Sequence, residues 1–148
     1  ILINILFILS IIMEIIMTEK KFKYLHTMIR VMDIEKSIEF YTKFFNMKLI
    51  RKNDFPGGKF SLAFLGYGNE VDNTVLELTY NWDQKEVYEH GNAWGHIALG
   101  VEDIYTLCDD LEKNGLQIIR KPGPMKHGTT LIAFIKDPDG YNIELIEK

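Results

Sequence analysis

A nine-residue stretch that occurs twice decides the fold: HTMIRVMDI at residues 26–34 returns as HIALGVEDI at residues 96–104. An offset of 70 positions, without a gap, places His26 on His96 and Asp33 on Asp103. Beyond this stretch Glu77 matches Glu144 at an offset of 67. Two copies are too few for a solenoid, which needs about three or more repeats. We therefore expect a single domain over residues 22–148, made of two related halves at about 22–82 and 94–148.

Each copy is predicted to be a strand followed by an amphipathic helix. Apolar and polar side chains alternate over residues 24–31, the period of two that is typical of a strand. Asp33 is a candidate N-cap, and apolar residues then recur at helical spacing through residue 45. The second copy repeats this order from Asp103 to Gly115, a candidate C-cap.

Three more strands are predicted to complete each half. Gly- and Pro-rich segments at residues 56–58, 122–124 and 137–140 are turn or loop signals that separate them. The sequence therefore predicts an α+β fold with one strand, one helix and three strands per half. The six additional strands are expected at Lys48–Lys52, Phe60–Gly66, Thr74–Tyr80, Gln117–Arg120, Thr129–Lys136 and Tyr141–Ile146.

Composition limits the classes of partner. The 148 residues are 47% hydrophobic and 26% charged, which fits one globular domain with a sizeable core. A net charge of −4 argues against a nucleic acid partner, which would favour a basic patch. The single cysteine, Cys108, cannot form a disulfide within the chain, and it is predicted to be a small buried hydrophobe. This cysteine usage predicts a reducing compartment, the cytoplasm.

Residues 1–17 belong to a different compositional class, almost entirely Ile, Leu and Met. They are shorter than the ~20 apolar residues of a membrane-spanning helix and lack the basic start of a secretory signal. Because Met17 is followed by a polar segment, we interpret residues 1–17 as a gene-model extension. A membrane anchor or targeting peptide is the competing interpretation, whereas residues 22–148 themselves are expected to have no membrane contact.

Four side chains at matched positions of the two halves are the candidate functional site. His26, Glu77, His96 and Glu144 are each predicted to lie mid-strand, on the face that their apolar neighbours do not share. Any one of them alone would usually be an exposed polar residue, but a His that opens and a Glu that closes each half form a specific pattern. Two imidazoles and two carboxylates suit zinc, nickel, cobalt, iron or manganese. A catalytic metal with a carboxylate at its edge indicates proton abstraction next to a carbonyl.

The same residues carry a resemblance to a known family. The segments HTMIRV (26–31), SIEFYT (37–42), SLAFLGYG (61–68), ELTYNW (77–82), GHIAL (95–99) and DPDGY (137–141) resemble the lactoylglutathione lyases, or glyoxalases I. The resemblance extends from Phe22 to Lys148 and implies two βαβββ modules in tandem, the vicinal oxygen chelate fold, with mixed sheets that form a metal-binding cleft. It also implies isomerisation of the methylglyoxal–glutathione hemithioacetal to S-lactoylglutathione.

The resemblance also assigns roles to individual residues. It makes His26, Glu77, His96 and Glu144 the metal ligands and makes Glu144 the base that takes a proton from C1 and returns it to C2. Arg30 and Asn81 match positions that hold glutathione. Arg120, Lys126 and His127 lie in or beside a loop that resembles the clamp on the glutathione carboxylate, although His127 stands where the family usually has glycine.

Assembly and metal are implied by the resemblance as well. It implies a homodimer in which the first-half ligands come from one chain and the second-half ligands from the other. The short form resembles the bacterial type, which favours nickel, with cobalt or zinc as alternatives. An extradiol dioxygenase or a thiol- or epoxide-processing relative would use three protein ligands, and a drug-sequestering module would have no reason to keep four.

Overall fold

The computed structural model describes residues 22–148 and, before them, Ile5 alone. The interpretation of residues 1–17 as an extension, anchor or targeting peptide thus concerns a segment outside the described part of the chain. No helix among the described residues is both long and apolar enough to span a bilayer.

The first half is a four-stranded mixed sheet with one helix. Its strands lie in the spatial order β1-β4-β3-β2, with β1 parallel to β4 and the other neighbours antiparallel. In chain order the elements are β1 (His26–Arg30), α1 (Ile34–Phe45), β2 (Lys48–Phe55), β3 (Phe60–Gly66) and β4 (Val75–Asn81).

The second half repeats this arrangement. The spatial order is β5-β8-β7-β6, and β5 is again parallel to the last strand of its module, β8. The elements are β5 (Ile97–Val101), α2 (Ile104–Lys113), β6 (Ile118–Pro124), β7 (Leu131–Lys136) and β8 (Asn142–Glu147). The predicted α+β fold of two βαβββ modules is confirmed.

Both helices begin at the predicted caps. The Asp33 carboxylate accepts a hydrogen bond from the Lys36 backbone N–H, and Asp103 accepts one from that of Thr106. These bonds satisfy amide donors that have no partner within a first helical turn. The apolar face of each helix then packs on its sheet, so one face of each sheet is buried and the other is left for the site.

The prediction of a loop at residues 122–124 is wrong, because strand β6 continues through Pro122 to Pro124. The strand is at the edge of its sheet, and its pairing with β7 shifts register twice, before Arg120 and before Gly123. Prolines are tolerated at edge strands and bulges, where no ladder hydrogen bond is required of them. The turn signals at residues 56–58 and 137–140 are confirmed as turns.

The turn after β7 also joins the two halves. The buried Asp137 carboxylate accepts a hydrogen bond from the Tyr41 hydroxyl at 2.8 Å, and Asp139 accepts one from the backbone N–H of Met32 at 2.8 Å. Tyr141 donates its hydroxyl to the carbonyl of Arg30 at 2.9 Å. We call these three contacts the inter-module latch. They hold the end of β1 and the start of α1 against the second half.

Candidate metal centre

The first candidate pair meets across two adjacent parallel strands. His26 Nε2 lies 2.9 Å from Glu77 Oε2, with 40% of the His side chain exposed and 12% of the Glu side chain. Glu77 is in the middle of β4, as predicted. His26 is the first residue of β1 and does not lie mid-strand, which corrects the prediction for the histidine. Its position at the strand end leaves the imidazole open to solvent, while the carboxylate is anchored in the sheet.

The second pair has the same geometry. His96 Nε2 lies 2.9 Å from Glu144 Oε2, and the exposed fractions of the side chains are 42% and 15%. Glu144 is in the middle of β8, whereas His96 directly precedes β5, so the mid-strand prediction again fails for the histidine alone.

An aromatic ring supports each histidine in the same way. The rings of His26 and Phe64 meet edge to face with centroids 5.9 Å apart, and those of His96 and Phe134 at 5.4 Å. Each phenylalanine is the cross-strand neighbour of the glutamate in its sheet. Such aromatic contacts restrict the imidazole orientation on the ligand-bearing face.

The donor atoms fit a divalent metal ion. An imidazole nitrogen and a carboxylate oxygen at this separation, both partly accessible, are placed as neighbouring ligands of one ion would be, and their chemistry suits zinc, nickel or cobalt. Among residues 22–148, however, no three His, Cys, Asp or Glu side chains come close enough to hold a metal together. The structure thus brings together the members of each pair but does not unite the two pairs within one chain.

Two predicted substrate residues lie on the same face as the first pair. Arg30 is exposed at the end of β1, opposite Thr79 in the parallel register. Asn81 ends β4 and donates its amide Nδ2–H to the hydroxyl of Tyr88 at 2.9 Å. Both side chains extend from the metal pair towards the same end of the sheet, and Tyr88 fixes the orientation of the Asn81 amide.

Of the three residues predicted for the carboxylate clamp, Arg120 is hydrogen-bonded to the backbone and the other two are exposed. Arg120 is the cross-strand neighbour of Phe134, and its guanidinium donates to the backbone carbonyls of Ile132 at 2.6 Å and Pro124 at 2.7 Å. Arg120 therefore shapes the base of the β6–β7 loop. Lys126 and His127 are exposed between β6 and β7, and their role in a carboxylate clamp stays a prediction. His127 has a φ of 63°, a conformation that glycine adopts without strain.

Sequence reasoning missed three polar residues around the first pair. Thr79 donates its hydroxyl to Glu77 Oε1 at 3.3 Å, and Tyr88 holds Asn81. Arg51 places its guanidinium carbon 3.5 Å from the centroid of the Phe64 ring and is paired with Glu70. For Thr79 a signal was available, because a residue two positions from a strand ligand shares its face.

Cys108 is buried, as predicted, with 1% of the residue exposed. Burial, followed by the nearby carboxylates of Glu112 and Asp109, raises the pKa of the Cys108 thiol. The thiol therefore remains protonated and acts as a small apolar side chain.

Comparison with known proteins agrees with this architecture. A family model described as the Glyoxalase/Bleomycin resistance protein/Dioxygenase superfamily matches residues 23–145. A probable lactoylglutathione lyase from Synechocystis is 59% identical over 123 residues, which make up 83% of this chain and 93% of the relative. A lactoylglutathione lyase from Neisseria meningitidis is 56% identical over 126 residues, which make up 85% of this chain and 91% of the relative.

Solved structures give the same result. Glyoxalase I from Zea mays superposes with a TM-score of 0.80 at 45% identity, and the match covers 85% of this chain but only 44% of the longer maize chain. A trypanothione-dependent glyoxalase I from Leishmania major superposes with a TM-score of 0.76 at 48% identity, with 86% of this chain and 87% of the other covered.

Proposed function

The chain belongs to the Glyoxalase/Bleomycin resistance protein/Dioxygenase superfamily, and from this premise we propose that it is a metal-dependent lactoylglutathione lyase, which removes methylglyoxal as S-lactoylglutathione. The observation that carries the proposal is the pair of equal His–Glu arrangements, each with a 2.9 Å nitrogen–oxygen separation, at equivalent positions of the two modules. Three-ligand relatives of the superfamily would not need the fourth matched side chain.

We assign the metal to His26, Glu77, His96 and Glu144. When bound, the ion would supply Lewis-acid stabilisation of the negative charge that develops on the two substrate oxygens. We propose Ni2+ as the natural ion, with Co2+ or Zn2+ as functional substitutes, because imidazole and carboxylate ligands accept all three.

Glu144 is the proposed base. Its carboxylate takes the proton from C1 of the hemithioacetal. The electron pair of that C–H bond forms the C1=C2 double bond, and the π pair of the C2=O bond moves to the C2 oxygen to give an enediolate. Glu144 then returns the proton to C2, while the C1 hydroxyl loses its proton to become the thioester carbonyl and the C2 oxygen gains a proton to become a hydroxyl. The exposed fraction of 15% leaves this carboxylate reachable by substrate. No external oxidant or reductant is consumed, since C1 is oxidised and C2 is reduced by the same amount within one molecule.

The spacing along β1 supports a long thiol substrate. Arg30 is four residues beyond His26 on the same strand face, a distance of about 13 Å at ~3.3 Å per residue. An arginine beyond the His–Glu pair on this strand suits the carboxylate at the far end of a tripeptide thiol, and Asn81 lies at the same end of the sheet to bind its polar groups.

We further propose a homodimer with shared active sites. Two His–Glu pairs that stay apart within residues 22–148 would form one four-ligand centre if the first pair of one protomer faced the second pair of another. A two-fold arrangement produces two such centres at once. We assign the enzyme to the cytoplasm because its single cysteine, Cys108, is reduced and buried.

Formation of thioester absorbance from methylglyoxal and glutathione tests the proposal. We expect turnover with the nickel-loaded protein, loss of turnover after chelation, and recovery on addition of Ni2+. Parallel assays with trypanothione and with cysteine test the thiol, and glutathione should give the highest kcat/KM. Absence of thioester from metal-loaded, folded protein with every thiol would reject the proposed activity.

A further inference from the structure

The two candidate carboxylates differ in the hydrogen bonding of their second oxygen. Glu77 directs Oε2 towards His26, and its Oε1 accepts a hydrogen bond from the Thr79 hydroxyl at 3.3 Å. Both oxygens of Glu77 are therefore directed by the protein. Thr79 itself is 9% exposed in the interior strand β4, where neighbours on both sides keep its side chain in place.

Glu144 lacks the equivalent donor. At the offset of 67 that matches the two glutamates, Thr79 corresponds to Ile146, whose side chain cannot donate a hydrogen bond. Within residues 22–148, His96 is the only side chain that the structure places at hydrogen-bonding distance from the Glu144 carboxylate. One oxygen of Glu144 is thus directed by the protein and the other is free of it.

The side chains that directly contact the two carboxylates are otherwise alike. The His–Glu separations are equal, an aromatic ring supports each histidine, and each glutamate is in an interior strand of its sheet. The Thr79 hydroxyl is therefore the polar contact that separates two otherwise equivalent groups.

We propose that Thr79 is a positioning residue that holds Glu77 as a permanent metal ligand and so leaves the proton transfer to Glu144. The inference rests on the proposed function and deepens it. A carboxylate held at both oxygens is less free to rotate towards a substrate C–H bond than one held at a single oxygen. Hydrogen bonds to metal ligands commonly orient them and strengthen their binding of the ion.

Metal affinity is the first test, because it does not depend on turnover. Competition with a chromophoric chelator gives the Kd for Ni2+ and for Co2+ in Thr79→Val and Thr79→Ser. We expect Thr79→Val, which keeps the shape but loses the hydroxyl, to weaken binding by about 10- to 100-fold. Thr79→Ser, which keeps the hydroxyl, should restore most of the affinity. Equal affinity in Thr79→Val and the wild type, or equal losses in both variants, would overturn the positioning role.

The reciprocal change tests the assignment of the base. Ile146→Thr installs a donor beside Glu144, and Ile146→Val is the matched control of equal shape without one. We expect Ile146→Thr to lower kcat several-fold while KM stays constant, and to tighten Ni2+ binding relative to Ile146→Val. The same kcat and Kd in both variants would contradict the inference. Failure of the wild type to form thioester would reject the proposed function alone, since the affinity comparison would still decide the role of Thr79.

Discussion

The two halves of the molecule share one arrangement of histidine, phenylalanine and glutamate, the proposed metal site, and differ in what surrounds it. Histidine, phenylalanine and glutamate occur at equivalent positions of both modules, with the same pairing across the strands. The side chains assigned to substrate binding, to the latch and to the positioning of Glu77 do not repeat. Arg30 corresponds to Gly100, and Tyr41 corresponds to Leu111. Near the glutamates, Thr79 corresponds to Ile146 and Asn81 to Lys148. In the proposed enzyme, metal coordination would therefore use both halves equally, whereas Arg30 and Asn81 of the first half would bind substrate and Glu144 of the second would transfer the proton.

The largest expected effect separates the two carboxylates. Glu144→Gln should keep the fold but lower kcat by about 10²- to 10⁴-fold, the usual contribution of a general base. Glu77→Gln should act chiefly by weakening metal binding, with activity partly recovered at high Ni2+. Steady-state kinetics over a range of Ni2+ concentrations distinguishes the two. Full recovery of kcat in Glu144→Gln at high Ni2+ would mean that Glu144, like Glu77, acts only as a metal ligand.

The next effect tests the assignment of substrate binding to the first half. Arg30→Ala should raise KM for the glutathione hemithioacetal by about 10- to 100-fold, since a hydrogen bond to a charged group contributes ~1.5–3 kcal/mol. The value of kcat should change little, because the proposed role of Arg30 is to bind the glutathione carboxylate and not to act on the reacting carbons. Lys85→Ala, at an exposed cation of the segment between the halves, is the control and should leave KM unchanged. An unchanged KM in Arg30→Ala would mean that this arginine binds no part of the substrate.

Loss of one hydrogen bond from the inter-module latch should change a free energy by an amount similar to, or smaller than, that attributed to the Arg30 contact. Tyr41→Phe leaves the buried Asp137 carboxylate without its hydroxyl donor and should lower the free energy of unfolding by about 1–3 kcal/mol. Tyr105→Phe, at a half-exposed tyrosine of α2, should change it by less than ~0.5 kcal/mol. Denaturant unfolding measures both, and equal stability of the two variants would show that the latch contributes nothing.

The smallest effect is a pH dependence of the latch. Burial raises the pKa of Asp137, and hydrogen bonds from Tyr41 and two backbone amides only partly oppose the rise. A carboxyl whose pKa is higher when folded binds more protons in the folded state, so the free energy of unfolding falls as pH rises from the unfolded pKa, ~3.9, to the folded one. The wild type should therefore lose stability relative to Asp137→Asn as the pH rises through that interval. At higher pH the difference between their free energies of unfolding should stay constant. A difference that is independent of pH would mean that burial of Asp137 has no effect on its protonation.

The sequence predicted what repetition and periodicity determine. The module order and the glutamate positions follow from the doubled HTMIRVMDI pattern and from alternation along the strands. The histidines at the strand starts were misplaced because alternation defines a face but not where a strand begins. Pro122 and Pro124 in β6 were misassigned because their tolerance depends on the strand's edge position, which is a tertiary property. The contacts of Thr79, Tyr88 and Asp137 likewise require the packed chain.

Complementation between two inactive variants tests most directly whether the two halves form one centre across protomers. His26→Ala and His96→Ala should each be inactive alone. After subunit exchange at equal concentrations, half of the dimers should be mixed and each of those should contain one intact site, so that activity returns to about a quarter of the wild-type value. Chelation should abolish this activity and Ni2+ should restore it. Complete absence of activity in mixtures that demonstrably exchange subunits would contradict the shared four-ligand centre.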